Sequence, residues 1–388
     1  MAPRKLPKTA PEIAPKQYTI GVIGALTLRM SILIDQKKLH EPGVKIEEAV
    51  SAPKKQGVIE GAYNIALAAY RCCRANPKSN VVLKDYFPRP VQVEMVSVIG
   101  NDDAGKAIMA RLQEEQIGTA GVRMLDDKPT DILFDNLGGT TDDTVNTQPM
   151  EGSRQATSLR YPQDHPATPA CWRKEDFTTP ESLGGSVIPD LVIISAKLEK
   201  DVLETILKTA EDKDIDVVLA AVPESPIDED LFKCITYCIL KEPEAEKLAN
   251  FGPDVRKGTY RTTHHLAREL GVKAVILPSG TCWYYHWGSR GASTSCAYDE
   301  NDTEVGVDTF VGVFSTYCLV QRGKWGKRQE FSLGLSIKVA SAAAAIAAGN
   351  VAGRTPYPWY DEIDGLAAPG GSTSYTSRFS RCWTDRDE

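Results

Sequence analysis

The residues with the clearest chemical potential lie in the run Val305-Gly306-Val307-Asp308-Thr309-Phe310. An acidic residue follows a small-residue turn and opens an apolar run from Phe310 to Val320, the pattern of a helix N-terminus. The first backbone N–H groups of a helix have no intrahelical partner, and the helix dipole favours an anion beside them. A carboxylate next to a bound phosphate is placed to take a proton from an attacking hydroxyl. Taken alone, Asp308 reads more simply as a helix cap.

Other reactive residue types are less telling. The nine cysteines are odd in number and follow no regular framework, and Cys72, Cys73, Cys234, Cys238 and Cys318 lie in apolar segments, which suits a reducing compartment. Cys234 and Cys238 are spaced to share a helix face, but no further ligands stand nearby, so both are expected in the core. His264 and His265 point to different sides of a helix and are expected at the surface. Cys282-Trp283-Tyr284-Tyr285-His286-Trp287 offers rings that can stack on an adenine, although packing as a strand and turn is the simpler reading. Gly21 and Gly24 follow an apolar run without completing a dinucleotide fingerprint.

The elements that must position these groups alternate. Tyr18–Gly24 reads as a buried strand, residues 31–34 and 44–50 as short exposed strands, and Gly61–Arg71 as a helix. Val91–Ile99 reads as a strand and Ala104–Gln116 as an amphipathic helix. Residues 138–186 are polar and aperiodic, a long loop or insertion. Strands then follow at 191–195, 217–222, 238–240 and 274–277, with helices at 202–210, 228–236, 243–250 and 262–270. Such alternation implies a parallel sheet covered on both faces, with ligands at the C-terminal strand ends. Asp308 begins the helix after the last strand unit and should face that rim.

Composition bounds the remainder. A chain of 388 residues with 42% apolar and 25% charged content can bury one large α/β domain. The net charge of −7 argues against a nucleic-acid or anionic-membrane surface. No apolar run reaches the roughly 18 residues of a membrane span. The first 17 residues hold four prolines, three Lys and one Arg, and read as a disordered basic tail. Residues 366–388 read as an irregular tail. A cytoplasmic protein with a small-molecule partner is expected.

Six blocks, in order, resemble the PfkB (ribokinase-like) kinases over roughly Tyr18 to Asp364. They are GAYNIALAAYR (61–71), VSVIGNDDAGKAIMARLQEEQIGTAGV (96–122), LKEPEAEKL (240–248), VKAVILPSG (272–280), VGVDTFVGVF (305–314) and Lys338 to Pro358, ending GRTPYP. The resemblance implies a ribokinase-like three-layer α/β/α domain over 18–365, with a mostly parallel central sheet. A small β lid would come from insertions near 31–58 and 122–150, and the protein would be a monomer or a homodimer through that lid. It also implies ATP- and Mg2+-dependent phosphotransfer to a small sugar-like or anionic metabolite.

By the same resemblance Asp308 is the general base, and Val305, Gly306, Val307 and Thr309 form the anion hole. Arg29, Glu60, Gly61 and Asn64 meet the substrate, Lys241, Gly280 and Trp283 meet the nucleotide, and Glu244 organises Mg2+ indirectly. The departures cluster at the chemistry. Val305 and Val307 replace glycines, Arg29 stands at a sugar-binding aspartate, Ile59 and Glu60 replace paired glycines, and Lys241 replaces an asparagine. Trp283 also replaces a glycine. Arg29 suggests an acceptor bearing a carboxylate or phosphate. The competing reading is a pseudokinase that keeps the fold and works by binding or assembly.

Overall fold

The computed structural model describes residues 17–34, 50–51, 57–78, 91–136, 158–160, 166–249, 259–278, 281–286, 289–295, 304–325, 333–349 and 357–367. The central sheet is built on β1 (Tyr18–Ile23), β5 (Val91–Gly100), β6 (Gly118–Leu125), β9 (Leu191–Ile194), β10 (Asp216–Leu219), β11 (Tyr237–Ile239) and β12 (Ala274–Leu277). Their order is β12-β11-β10-β9-β1-β5-β6, all parallel. The antiparallel hairpin β13 (Thr281–His286) and β14 (Ser289–Ser295) extends the β12 edge. Strands β1, β9, β10, β11 and β12 are buried at every residue, as their largely apolar composition suits a sheet covered on both faces.

Two cores flank the sheet. Ile193 and Val218 point to one, formed with α1 (Ala62–Arg71), α2 (Asp103–Glu114), α6 (Glu304–Trp325) and α7 (Leu333–Gly349). Val192, Ile194, Val217 and Leu219 point to the other, formed with α3 (Lys200–Asp212), α4 (Glu242–Ala249) and the helix running from α5 (Thr259–His264) into a π-turn at His265–Glu269. A second sheet, ordered β3-β2-β7-β8 with β4 also on β2, stands off the first. It comprises β2 (Leu26–Ile34), β3 (Val50–Ser51), β4 (Val58–Gly61), β7 (Ile132–Asn136) and β8 (Ser158–Arg160), and fits the lid. Strand β6 belongs to the central sheet, so the second lid segment starts at β7.

Several local expectations change in three dimensions. The described end of the 138–186 segment is packed. Three 3-10 turns, Pro169–Cys171, Lys174–Phe177 and Pro180–Gly184, bury Trp172, Phe177 and Leu183 on the second core, and Thr209 Oγ1 donates to the Phe177 carbonyl at 2.8 Å. The helix expected over 228–236 is a 3-10 turn, Glu229–Cys234, so Cys234 and Cys238 sit on different elements. Both are core residues, and burial pushes the Cys238 thiol up to about 12. Gly21 and Gly24 serve close packing. A Cβ at Gly21 would lie 2.1 Å from the Leu183 carbonyl oxygen, and one at Gly24 would lie 2.2 Å from Ser195 Oγ.

The turn Gly100-Asn101-Asp102-Asp103 ties the lid to the sheet. Asp102 caps α2 by accepting from the Gly105 amide at 2.8 Å, and it also accepts from the Thr130 amide at 2.8 Å and hydroxyl at 2.6 Å. Burial works against its charge, but these bonds hold the carboxyl below its ordinary range. Thr130 leads directly into β7, so one carboxylate fixes a helix start and a lid strand together.

Glu94 is an acid kept inside the sheet. It is 5% exposed, its Oε2 has no partner, and Gly118 opposite it leaves room that a Cβ would take, 2.0 Å from that oxygen. Burial raises its pKa above the ordinary 4.5, with the Gln92 amide opposing. Stability from this group is therefore fully present below the unfolded value and is lost as pH rises through the folded one. Glu94→Gln should raise the unfolding temperature at pH 7 to 8 and leave it unchanged at pH 4, as calorimetric scans at the two pH values would read.

Candidate active site

The candidate site is assembled by two helices that touch. Helix α1 starts abruptly at Gly61, whose φ of 77° favours glycine, and a Cβ there would lie 2.6 Å from the Ala25 carbonyl oxygen. The Ala62 amide donates to that carbonyl at 2.9 Å, so the chain leaving β1 holds the first turn of α1. Helix α6 crosses α1 at Gly312. A Cβ at Gly312 would lie 2.4 Å from the Ile65 carbonyl oxygen, and Thr316, one turn on, donates to the Ala69 carbonyl at 3.2 Å.

This contact brings Asn64 and Asp308 together across 244 positions of sequence, with Asn64 Nδ2 donating to Asp308 Oδ2 at 3.0 Å. An ionised carboxylate only accepts, which fixes the amide orientation. Asn64 is 3% exposed, and its Oδ1 has no partner. A buried acceptor left unmade costs about 1–3 kcal/mol, so the pair retains a demand for one more donor beside Asp308.

The residues that the resemblance assigned to the anion hole lie within helix. Helix α6 begins at Glu304, four residues before Asp308, where the sequence pattern placed the start at Asp308 itself. The i to i−4 ladder engages the amides of Asp308 and Thr309 with the carbonyls of Glu304 and Val305. The amides of Val305 and Gly306 belong to the first turn, where no such partner exists. The Thr309 hydroxyl donates to the Val305 carbonyl at 2.7 Å. Val305 and Val307 are half-buried against the first core, and neither has positive φ. Their β-branched side chains are thus accommodated by a helical turn rather than strained in a glycine-type loop.

On the lid, Arg29 of β2 and Glu60 of β4 are diagonal neighbours. Arg29 Nε lies 2.8 Å from Glu60 Oε2, off the N–H line, so the contact is an ion pair more than a directed hydrogen bond. Both side chains are partly exposed, at 33% and 22%. Arg29 therefore carries a counter-charge on the lid itself, so its presence alone does not call for a carboxylate or phosphate on the acceptor. On the same face Thr27 donates to Asp131 Oδ2 at 3.0 Å.

The residues that the resemblance assigned to the nucleotide lie on other elements. Lys241 follows β11 at the C-terminal rim with its side chain exposed, and its amide donates to Glu244 Oε2 at 3.1 Å in the first turn of α4. Trp283 lies in β13 opposite Leu277, and Gly280 falls outside the described residues. No group of three His, Cys, Asp or Glu capable of holding a metal occurs among the described residues.

Sequence reading singled out neither Tyr63 nor Tyr357, both buried in the first core. Burial raises the Tyr357 phenol most, followed by the carboxylate of Asp308, then Tyr63 and Glu60, with Arg71 opposing. The signal available in sequence was only a tyrosine inside the closing GRTPYP block.

Residues 62–359 match the pfkB family of carbohydrate kinases, three quarters of the chain. The chain belongs to this family. The fold agrees with solved relatives. Ribokinase from Arabidopsis thaliana, solved with ribose and ATP, superposes with a TM-score of 0.63 at 18% identity, covering 90% of this chain and 98% of that one. Ribokinase from Giardia lamblia gives 0.61 at 13%, covering 90% and 98%. The 2-dehydro-3-deoxygluconokinase from Thermotoga maritima gives 0.59 at 16%, covering 90% and 99%. At these identities the likeness establishes the fold. Comparison with curated proteins returned no match. No helix among the described residues is long and apolar enough to cross a membrane.

Proposed function

We propose that this pfkB-family chain transfers the γ-phosphoryl group of ATP to a hydroxyl of a sugar-like metabolite, with Asp308 as general base. The observation that carries the reading is the Asn64–Asp308 pair. A buried amide orients the carboxylate at 3.0 Å, while its own Oδ1 lacks a donor. A substrate hydroxyl has the matching chemistry, because it donates to Asn64 or Asp308 and accepts from a neighbouring donor. Proton removal by Asp308 leaves an alkoxide-like oxygen to attack the phosphorus, and ADP departs.

The remaining residues divide into three tasks. The amides of Val305 and Gly306 and the positive end of α6 stabilise charge on the transferred group. Glu60 and Arg29 on the lid offer an acceptor and a donor, which suits polyol hydroxyls whether or not the sugar also carries an acid. Lys241 supplies a fixed positive charge on the nucleotide side.

The donor set fits magnesium in its usual mode, held by phosphates and waters with few protein carboxylates. Glu244 is the residue for that role, and the Lys241 amide on its Oε2 orients it. When bound, the ion would neutralise charge on the phosphates.

The test combines binding and turnover. ATP with MgCl2 at millimolar concentration should raise the unfolding temperature. ADP should form faster when a sugar from a panel of ribose, fructose and 2-dehydro-3-deoxygluconate is added. A protein that shows neither the shift nor sugar-dependent ADP is not a kinase, and the fold then serves binding or assembly.

A further inference from the structure

Among the described residues the lid joins the body at three crossings, and one of them is locked by a carboxylate of the body. Strand β1 passes into β2 at Gly24 and Ala25, whose carbonyls accept from the Ser97 hydroxyl at 2.7 Å and the Ala62 amide at 2.9 Å, respectively. Strand β4 passes into α1 at Gly61, where the same Ala62–Ala25 bond closes the turn. The third crossing, from β6 into β7, runs through residues 129–131, and each of the three holds a different part of the molecule. The Pro129 carbonyl accepts from the Ala167 amide at 2.7 Å, and Ala167 belongs to the second core. Thr130 is fully buried and is held by Asp102, through its amide at 2.8 Å and its hydroxyl at 2.6 Å. Asp131 holds β2. Its carbonyl accepts from the Leu28 amide at 3.0 Å, and its Oδ2 accepts from the Thr27 hydroxyl at 3.0 Å.

The socket around Thr130 is built by close approach. A Cβ at Gly100 would lie 2.5 Å from the Thr130 nitrogen, and one at Gly105 would lie 2.9 Å from its Oγ1. The Gly100 amide also donates to that oxygen at 3.1 Å. A helix cap needs only the bond that Asp102 takes from the Gly105 amide. The two bonds to Thr130 are surplus to capping. Both go to an ionised group in a place without water to replace them, so both are strong. From there the connections continue into the lid, from Thr130 to its neighbour Asp131, across to Thr27 and Leu28, and along β2 to Arg29, whose Nε lies 2.8 Å from Glu60 Oε2.

We propose that Asp102 is a positioning residue for the lid. By anchoring Thr130 to the start of α2 it sets the placement of β7 and β2, and through them that of the Arg29–Glu60 pair against the acceptor. The last step rests on the proposed sugar-kinase reading, whereas the anchoring of the two strands stands without it.

The experiment compares wild type with Asp102→Ser and Thr130→Val by amide hydrogen exchange and in the ADP assay, using ribose, fructose and 2-dehydro-3-deoxygluconate. Serine keeps an acceptor for the Gly105 amide, so α2 stays capped, but it is too short to hold both Thr130 groups. Valine keeps the shape of threonine and removes the hydroxyl alone. In both variants exchange in residues 26–34 and 132–136 should speed up about 10-fold, the equivalent of one lost hydrogen bond to a charged group, while α2 and the central sheet keep wild-type protection. The sugar KM should rise about 2- to 30-fold, the range for residues that act on a site without touching the ligand, and the KM for ATP should stay unchanged. Lid exchange equal to wild type in the two variants overturns the proposal. Exchange that speeds up equally in α2 and the central sheet, or equal shifts in both KM values, makes Asp102 a general structural cap and overturns it too. Faster lid exchange in an active enzyme whose sugar KM does not move overturns the link to the acceptor. A wild type without sugar-dependent turnover, in which the variants still loosen the lid strands alone, removes the kinase reading and leaves the anchoring standing.

Discussion

Asp308→Asn should lower sugar-dependent ADP formation by about 10²- to 10⁴-fold, the usual contribution of a positioned general base. The substitution preserves shape and the possibility of an Asn64 contact, but removes the proton-accepting charge. The unfolding temperature should therefore stay close to wild type, and the shift produced by ATP and MgCl2 should persist. The measurement is a coupled ADP assay beside a thermal scan with and without nucleotide. Wild-type turnover in this variant would remove Asp308 from the chemistry and return it to the simpler role of a residue in the first turns of a helix. Loss of turnover together with loss of the nucleotide-induced shift would mean that Asp308 acts through the phosphate site and not on the acceptor.

Gly312→Val should produce the largest structural effect, because it acts where the two site helices cross. The Cβ would sit 2.4 Å from the Ile65 carbonyl oxygen and 2.9 Å from the Ala69 nitrogen, both backbone atoms that no rotamer change can move. Helix α6 must then lift from α1. Overpacking of a well-filled core costs about 1–3 kcal/mol. In a domain of this size that corresponds to several degrees of unfolding temperature. The same displacement separates Asn64 from Asp308, which meet at 3.0 Å. Turnover should fall at temperatures where the variant is still folded, since small misplacements at a reacting centre are costly. Thermal scans and ADP assays on one preparation would read both effects. A variant with unchanged stability would show that the helices tolerate separation, and the argument that Gly312 sets the site would fail.

The two variants probe different links. In the proposed reaction Asp308 belongs to chemistry, and its identity matters more than its packing. Gly312 belongs to packing, and its lack of a side chain matters because two backbones approach closely there. Nothing in a periodicity argument distinguishes this glycine from its neighbours in an apolar helix. Only the partner helix gives it meaning.

The family and its architecture were written in local pattern. Short unbroken apolar runs such as LVII and AVIL fit strands buried on both faces, and their alternation with amphipathic helices points to a parallel sheet. The turn Gly100-Asn101-Asp102-Asp103 carries a local helix-start signal, because an Asp cap works through a neighbour three residues on. Asp308 drew notice as an acid opening an apolar run, but the helix begins four residues earlier, at Glu304. The 3-10 turn at Glu229–Cys234 and the early start of α6 at Glu304 were not legible, since packing rather than propensity sets those boundaries.

What the sequence determined by itself was the order of elements and the residue types able to do chemistry. What only the tertiary structure decided was which of those residues meet. Asn64 and Asp308 are hydrogen-bonded although far apart in the chain, and Arg29 carries a counter-charge because β2 and β4 pair in the register that sets it beside Glu60. Tyr357 is tied to α1 through Arg71, whose carboxylate partner Glu115 follows α2. The physical reason is common to all three. Side-chain periodicity reports which face of an element is buried, whereas the partner across the interface is chosen by close approach of backbones and by charge pairing between distant segments, and neither leaves a mark on local sequence.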